Sequence, residues 1–139
     1  MTSSDALLLV AACALIDDTR RVLVARRPKG KKLEGLWEFP GGKIEPGESP
    51  EDTLVRELKE ELAVAIDRST LAPLTFASHR YPEFHLLMPL FVCSHWRGVL
   101  TPLENQAIAW VSVTDLLTPA YPMPPADGPL IPALRDFLG

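Results

Sequence analysis

Residues 49–62 carry the strongest structural signal in the chain, a helix whose start, length and apolar face all follow from neighbouring residues. Ser49 stands at the N-cap position, and Pro50 follows at the first helical position, where its missing N–H costs no hydrogen bond. Acidic residues come next and face the positive end of the helix dipole. Leucine then recurs every fourth residue, at Leu54, Leu58 and Leu62. The pattern predicts an amphipathic helix from about Pro50 to Leu62 that buries one face in a core.

The segments on either side of this helix are β-prone, which indicates a mixed α/β domain. Residues 6–16 and 21–26 flank a polar turn and predict one hairpin, and residues 71–79 and 84–96 predict a second. A further strand is expected at 108–113, and a short helix is expected at the C-terminus. Because the 139 residues contain neither an internal repeat nor a linker, we expect one domain over the whole length.

Charge and apolar runs exclude several function classes. The formal net charge is −4, with 18 acidic against 14 basic side chains, so polymeric DNA or RNA is not an expected partner. The longest apolar run, residues 6–16, is too short to span a bilayer, which needs about 20 residues. The preceding MTSSD contains Asp5 and no positive charge, which argues against a signal peptide. Cys13 and Cys93 lie in apolar runs, so we expect reduced core thiols and a cytoplasmic protein.

Three glutamates border the leucine stripe of the predicted helix within an arc of about 100°: Glu57, Glu60 and Glu61. Like charges four residues apart destabilise a helix, so a compensating partner is expected. A hard divalent cation is one such partner, and because no His or Cys lies in the cluster, Mg²⁺ or Mn²⁺ is favoured over Zn²⁺. A solvated acidic face paired with Arg56 and Lys59 is the alternative, and the spacing alone leaves both open.

The residues from Gly42 to Val64, GKIEPGESPEDTLVRELKEELAV, resemble the Nudix box of the Nudix hydrolase superfamily. One fixed position departs from the box, since Ala63 replaces the glycine that closes the helix in a left-handed turn, at an expected cost of about 1 kcal/mol. The flanking segments WEFPGGK, AWVSV and PPADGPL look closest to MutT-type nucleoside triphosphate pyrophosphohydrolases. The resemblance implies a Nudix fold over residues 1–139, a mixed β-sheet sandwiched between α-helices, with the box at about 42–64.

The resemblance also implies roles for the acids in and near the box. Carboxylates of the helix, one outlying carboxylate and the backbone carbonyl of Gly41 would bind the metal, the carboxylates being those of Glu57, Glu60, Glu61 and Glu104. Glu48 and Arg56 would brace the loop against the helix. Either Glu57 or Glu104 would deprotonate the attacking water, and the sequence leaves that choice open.

Basic residues ahead of the box and at its start are candidates for binding phosphate. Arg27 matches the phosphate-contacting arginine of the family, and arginine suits bidentate phosphate recognition. Lys32, in the basic loop RRPKGKK, and Lys43 would add to the same positively charged region at the entrance of the site. For both lysines an ordinary solvated charge run is the alternative.

A further group of residues would recognise the nucleobase. Glu38, Phe39 and Pro40 match positions that line the base pocket of the family. Phe84 stands where guanine-cleaning enzymes carry a basic side chain, and Asp127 where 8-oxoguanine-specific enzymes carry asparagine. An ionised Asp only accepts hydrogen bonds, so the preferred base edge should differ unless Asp127 is protonated. The alternative for Asp127 is the N-cap of the last helix.

With the resemblance, these residues predict Mg²⁺-dependent hydrolysis of (deoxy)nucleoside triphosphates to the monophosphate and pyrophosphate, with oxidised nucleotides such as 8-oxo-dGTP as substrates. The alternatives among enzymes are CTP or 5-substituted dCTP, and ADP-ribose or another nucleotide sugar. A nonhydrolytic Nudix module that senses a nucleotide is the alternative from another class, although such modules commonly lose box acids and none is lost here. No membrane partner is expected, and a monomer is the default, with a dimer left open.

Overall fold

The computed structural model describes residues 6–139, so the segment MTSSD, on which the signal-peptide argument depends, lies outside the described residues. In chain order the elements are β1 (Leu7–Leu15), β2 (Val22–Arg26), β3 (Trp37–Glu38), β4 (Gly41–Lys43), α1 (Pro50–Leu62), β5 (Ala72–Arg80), β6 (His85–Cys93), β7 (Ala107–Val111), α2 (Val113–Leu116) and α3 (Ile131–Leu138). Short 3-10 turns lie at Arg68–Thr70 and Gly128–Leu130. In this part of the chain, no helix is both long and apolar enough to cross a bilayer.

The strands form two sheets, in the orders β4-β1-β6-β5 and β3-β2-β7. β1 runs parallel to β6, whereas its pairing with β4 and the β5–β6 pairing are antiparallel, so the larger sheet is mixed. Side chains of β1 alternate between two cores: Cys13 and Leu15 pack with the leucines of α1, and Ala12 and Ala14 pack towards α2 and α3. Helices therefore cover both faces, and the predicted α/β sandwich is confirmed.

The first predicted hairpin is wrong. β1 pairs with β4 and β6 in one sheet, whereas β2 pairs with β3 and β7 in the other. A single bridge between Ile16 and Val22 joins them, next to a turn in which the Asp17 carboxylate accepts a hydrogen bond from the Arg21 N–H at 2.8 Å. The second half of β1 is buried on both faces, and β1 has a partner strand along each edge. The residue pattern within one segment does not indicate which strands these partners are.

The second predicted hairpin is confirmed as β5 and β6, although the return strand ends at Cys93 rather than at Trp96. Pro89 does not interrupt β6, where it lies opposite Phe76. The two helices are also confirmed, since α1 covers the residues expected for it and α3 covers most of LIPALRDFL.

The strand predicted at 108–113 ends earlier, at Val111. The reason is local, because Ser112 acts as the N-cap of α2. Its hydroxyl accepts a hydrogen bond from the Asp115 N–H at 3.1 Å, and this bond turns the chain into the helix.

Candidate active site

The loop before α1 is tied to the helix by an ion pair. Arg56 Nε donates to Glu48 Oε2 at 2.7 Å, and Arg56 Nη2 donates to Glu48 Oε1 at 2.9 Å, which is a bidentate geometry. Glu48 Oε1 also accepts hydrogen bonds from the Thr53 hydroxyl at 2.9 Å and from the Glu45 N–H at 3.0 Å. These donors, with Arg56 first, lower the pKa of Glu48 to about 2. The structure thus places Glu48 and Arg56 together, between the loop and the helix.

The same guanidinium contacts two further acids of the helix. Arg56 Nη1 donates to Glu57 Oε1 at 2.7 Å and lies 3.6 Å from Glu60 Oε2. The Glu60 side chain is 57% exposed and that of Glu57 is 20% exposed, so Glu60 lies towards solvent. Hydrogen bonds to Glu48 and Glu57 raise the pKa of Arg56 above its usual value. One fixed positive charge therefore reduces the repulsion among three carboxylates.

Two glycines of β4 let the helix acids approach the sheet. A Cβ atom on Gly42 would lie 2.4 Å from Glu57 Cδ, so the absent side chain leaves the space that the Glu57 carboxylate occupies. A Cβ atom on Gly41 would lie 2.0 Å from the carbonyl oxygen of Ala11 in the adjacent strand. The Pro40 carbonyl accepts a hydrogen bond from a backbone N–H of β1 at 2.9 Å. These contacts fix the backbone of Gly41, whose carbonyl is a predicted metal ligand. Gly41 directly precedes Gly42, against which the Glu57 carboxylate packs.

Glu61 lies partly buried beside Glu57. The two side chains share a hydrogen bond, and Glu61 Oε2 is buried with no hydrogen-bond partner among the described residues. Burial, then the hydrogen bond and charge of Glu57, and then the charges of Glu104 and Glu38 raise the pKa of Glu61 well above its usual value. These surroundings favour the protonated form of Glu61 when no cation is bound. A buried oxygen without a partner near other carboxylates is an atom that a cation would satisfy.

The acids assigned to the metal are not all gathered. Within residues 6–139, no group of three or more His, Cys, Asp or Glu side chains is already arranged to hold a metal ion. Glu57 and Glu61 are together, Glu104 is near enough to raise the pKa of Glu61, and Glu60 turns towards Arg56 instead. These side chains offer only oxygen atoms, and an all-oxygen set suits a hard cation.

A residue that the sequence analysis missed connects the outlying acid to the helix. Gln106 Nε2 donates to the Glu61 carbonyl at 3.0 Å, and Gln106 Oε1 accepts a hydrogen bond from the Glu104 N–H at 2.8 Å. The Leu103 N–H donates to the same Glu61 carbonyl at 2.9 Å. No motif marks Gln106, because the fold alone brings its two partners together.

A buried carboxyl group lies in the predicted base pocket. Asp127 is 5% exposed, Phe39 is 4% exposed, and the Asp127 carboxylate accepts a hydrogen bond from the Phe39 N–H. Burial, followed by the charge of Glu38, raises the pKa of Asp127 to about 7 in spite of that hydrogen bond. Asp127 occupies the N-cap position of the 3-10 turn Gly128–Leu130, but its side chain makes no capping hydrogen bond, and the N-cap residue of α3 is Leu130. The N-cap alternative for Asp127 is therefore wrong.

The C-terminal segment that carries Asp127 is fixed to the smaller sheet. The Trp37 N–H donates to the Pro122 carbonyl at 2.7 Å. The rings of Trp37 and Tyr121 meet edge to face, with their centroids 5.2 Å apart. These contacts hold the segment against β3, the strand from which Glu38 comes.

Phe84 supports the same segment from the β5–β6 hairpin. Its ring centroid lies 5.3 Å from that of Tyr81. The Tyr81 hydroxyl accepts a hydrogen bond from the Ala126 N–H at 3.3 Å, directly before Asp127. Phe84 thus contacts the predicted base pocket only through Tyr81.

Arg27 connects the predicted base pocket to the basic loop. Its Nη1 donates to Glu38 Oε1 at 3.2 Å, and its Nε donates to the Lys32 carbonyl at 2.9 Å. Burial raises the pKa of Glu38, and the charge of Arg27 opposes that rise. The side chains of Lys32 and Lys43 are exposed, with Lys43 on β4 next to the box glycines.

An open groove runs beside this loop. Its lining joins the basic loop to the residue that follows Glu104, and includes Arg26, Arg27, Lys29, Glu34 and Asn105. The Arg26 guanidinium lies 5.6 Å from the centroid of the Trp37 ring, which restricts its position. The excess of positive charge suits a polyphosphate chain.

A loop braced onto an acid-bearing helix, with that helix packed on a mixed sheet, is the architecture of a Nudix hydrolase. The family model described as NUDIX domain matches residues 7–134, nearly the whole chain, so this chain belongs to that family. The prediction of an enzyme of the hydrolase class is thereby confirmed.

Two relatives and a solved structure show which group of Nudix hydrolases this chain resembles. An 8-oxo-dGTP diphosphatase of Proteus vulgaris is 38% identical over 92 residues, which are 66% of this chain and 80% of the relative. A CTP pyrophosphohydrolase of Escherichia coli (strain K12) is 37% identical over 128 residues, which are 91% of this chain and 90% of the relative. A structure of MutT, from work on Aliivibrio salmonicida and Vibrio cholerae, matches with a TM-score of 0.77 at 26% identity and covers 94% of this chain and 98% of its own. The predicted MutT-like character is therefore confirmed.

Proposed function

We propose that this chain hydrolyses nucleoside triphosphates to the monophosphate and pyrophosphate, with Mg²⁺ or Mn²⁺ as the cofactor. The observation that carries the proposal is the buried, unpartnered Glu61 Oε2 beside Glu57 on the helix of the box. Relatives named 8-oxo-dGTP diphosphatase and CTP pyrophosphohydrolase support the reaction class. A small nucleotide substrate is consistent with the expected cytoplasmic location.

Three parts of the chain would supply oxygen ligands to the cation. They are the α1 carboxylates, the loop before β7 and the backbone carbonyl of β4, namely Glu57, Glu60, Glu61, Glu104 and Gly41. When bound, the cation would neutralise phosphate charge and orient a water molecule in line with the leaving oxygen. Glu61 would then give up its proton, because nearby positive charge favours the ionised carboxylate.

Hydrolysis breaks the P–O bond between the α- and β-phosphoryl groups. Water forms the new P–O bond and loses a proton to a carboxylate, and pyrophosphate leaves with the electron pair of the broken bond. Glu57 and Glu104 are the candidate bases. Glu57 is held by Arg56 on the helix, whereas Glu104 stands on an exposed loop. Glutamine at the true base should remove the acidic limb of the pH–rate profile.

Asp127 would recognise the base, with Glu38, Phe39 and Pro40 forming the walls. An ionised Asp127 accepts hydrogen bonds and suits an amino group such as that of cytosine, whereas the protonated form also donates. With a pKa of about 7, both forms are present near neutral pH. Because the titration of Asp127 favours neither base, the names of the relatives guide the order: we propose 8-oxo-dGTP as the first substrate and CTP or 5-substituted dCTP as the second.

The phosphates would bind along the basic groove. Arg27 would contribute its guanidinium from the groove lining. Lys32 and Lys43, which are exposed and do not line the groove, would add positive charge. Phe84 would act at a distance, by supporting the segment before Asp127 through Tyr81.

A substrate panel with product analysis tests the reaction. It contains 8-oxo-dGTP, dGTP, CTP, 5-substituted dCTP and ADP-ribose, each with Mg²⁺. We expect a monophosphate and pyrophosphate from a nucleoside triphosphate. Orthophosphate as the product, or turnover of ADP-ribose alone, would contradict the proposal, and tight nucleotide binding without turnover would indicate a sensing module.

Thermal unfolding with and without Mg²⁺ tests the cation site separately. We expect Mg²⁺ at ten times its Kd to stabilise the protein by about 1.4 kcal/mol. Glu61→Gln should abolish this shift and lower turnover by orders of magnitude while the fold is retained. Glu83→Gln is the matched control, because it makes the same glutamate-to-glutamine replacement on an exposed turn. An unchanged Mg²⁺ shift in Glu61→Gln would refute the assignment.

A further inference from the structure

The loop that carries Glu104 also completes the C-terminal end of α1. The last four carbonyl groups of a helix have no partner within the helix. The Glu61 carbonyl accepts hydrogen bonds from the Leu103 N–H at 2.9 Å and from Gln106 Nε2 at 3.0 Å. The Leu62 carbonyl accepts one from the Thr101 N–H at 2.9 Å. Residues 101–106 therefore act as the cap of the helix that bears the box acids.

Gln106 is the member of this loop that reaches both acids. Its side-chain amide donates to the Glu61 carbonyl, while its oxygen accepts from the Glu104 N–H at 2.8 Å. Only an amide side chain offers a donor and an acceptor side by side in this way. A carboxylate would keep only the acceptor, an aliphatic side chain would keep neither, and asparagine would be one methylene too short.

The backbone around Gln106 explains why the bridge can form. Asn105 adopts a φ of +58°, a left-handed conformation that asparagine tolerates, and this turn lets the Gln106 side chain reach back to Glu104. Gln106 directly precedes β7, which is paired along its length with β2. The Gln106 backbone is therefore held next to a sheet, and its side chain is bonded to the helix. Glu104 itself is exposed.

We propose that Gln106 is a positioning residue that holds the Glu104 loop at a fixed place relative to Glu61, so that the oxygen ligands from the loop and from the helix are preorganised for one divalent cation. The inference rests on the proposed function, because it takes Glu104 and Glu61 as ligands. Residues that orient ligands in this way commonly change metal affinity by about 10- to 100-fold when they are replaced.

Amide hydrogen exchange of the metal-free protein tests the bridge itself. In Gln106→Leu, we expect the Glu104 N–H to exchange at least about tenfold faster, because its acceptor is lost. The Leu103 N–H is the internal reference, since its acceptor is the Glu61 backbone carbonyl. The control variant is Leu103→Ala, which removes an exposed side chain and retains the bridge. Unchanged protection of Glu104 in Gln106→Leu would overturn the proposal.

Mg²⁺ binding, measured by titration calorimetry and as the Mg²⁺ dependence of turnover, tests the consequence. For Gln106→Leu and Gln106→Met, we expect at least about tenfold more Mg²⁺ for half-saturation, with the nucleotide KM at saturating Mg²⁺ little changed. Gln106→Met, which has an unbranched side chain of similar length, provides the measurement if the leucine variant fails to fold. Wild-type Mg²⁺ affinity in both variants would overturn the positioning role. Failure of the wild-type chain to bind Mg²⁺ or to hydrolyse any nucleotide would instead overturn the proposed function.

Discussion

At the scale of single residues, Arg56 organises the acids of the box. It binds Glu48 through two nitrogens and contacts Glu57 and Glu60 through the third. A guanidinium presents its donors in a rigid plane, so each carboxylate has a fixed direction. The acids can therefore lie close together before any cation is present, and Glu61, which accepts nothing from Arg56 in this arrangement, keeps its proton.

Gly42→Ala should remove activity without unfolding the protein. The new Cβ atom would stand 2.4 Å from Glu57 Cδ, so the flexible end of the Glu57 side chain must move away while the backbone stays. We expect kcat to fall by about two orders of magnitude or more, since a misplaced ligand costs a large part of the charge stabilisation. Circular dichroism and the melting temperature serve as the folding control. Wild-type turnover in this variant would show that the position of Glu57 is not required.

At the scale of elements, α1 was predictable because its signals are local. The Ser49 hydroxyl accepts a hydrogen bond from the Asp52 N–H at 3.1 Å, and the Asp52 carboxylate accepts one from the Ser49 N–H at 3.1 Å. Both partners of this capping box lie within four consecutive residues of the sequence. The partners of β1 and β2 were not predictable, since strand pairing joins distant segments and the alternation within one strand does not name its neighbours.

Ala63→Gly should stabilise the protein by about 1 kcal/mol. Ala63 ends α1 at a φ of +62°, where a Cβ atom crowds the following carbonyl and glycine avoids that contact. Chemical denaturation would show a higher midpoint at an unchanged m-value. The matched control is Ala72→Gly on an exposed strand position without positive φ, which should lose about 0.5–1 kcal/mol. Destabilisation by Ala63→Gly would contradict the strain argument.

At the scale of the whole molecule, two contacts join parts of the chain that no local pattern connects. The box motif was sufficient to indicate the acids of α1 and the loop pair Glu48 and Arg56. It could not indicate that the Asp127 carboxyl would meet the Phe39 N–H, or that Gln106 would bridge to Glu61. These contacts depend on how the sheets and the C-terminal segment pack, which is a property of the complete fold.

The stability of the whole protein should depend on pH through Asp127. Its pKa is about 7 when folded and about 4 when unfolded, so its contribution is complete below about pH 4 and is lost as pH rises to about 7. We therefore expect Asp127→Asn to gain about 1.4 kcal/mol per pH unit relative to wild type up to about pH 7, and nothing further above it. Urea denaturation at pH 5, 6, 7 and 8 measures the difference.

The exposed Glu83→Gln variant is the control for this comparison, and its difference from wild type should not vary over the same pH range. A constant difference between Asp127→Asn and wild type would show that the buried carboxyl group does not titrate with a raised pKa.

The attachment of the C-terminal segment to Trp37 separates two tasks along the chain. The acids and their brace come from one stretch, residues 41–61, with Glu104 added, whereas the buried carboxyl group that meets Phe39 arrives on the segment held by the Pro122 and Tyr121 contacts. If Asp127 recognises the base as proposed, we expect substitutions in that segment to alter which nucleotide is preferred and to leave the acids in place. On this proposal, homologues with this fold could differ in nucleotide preference through changes in one short segment of the chain.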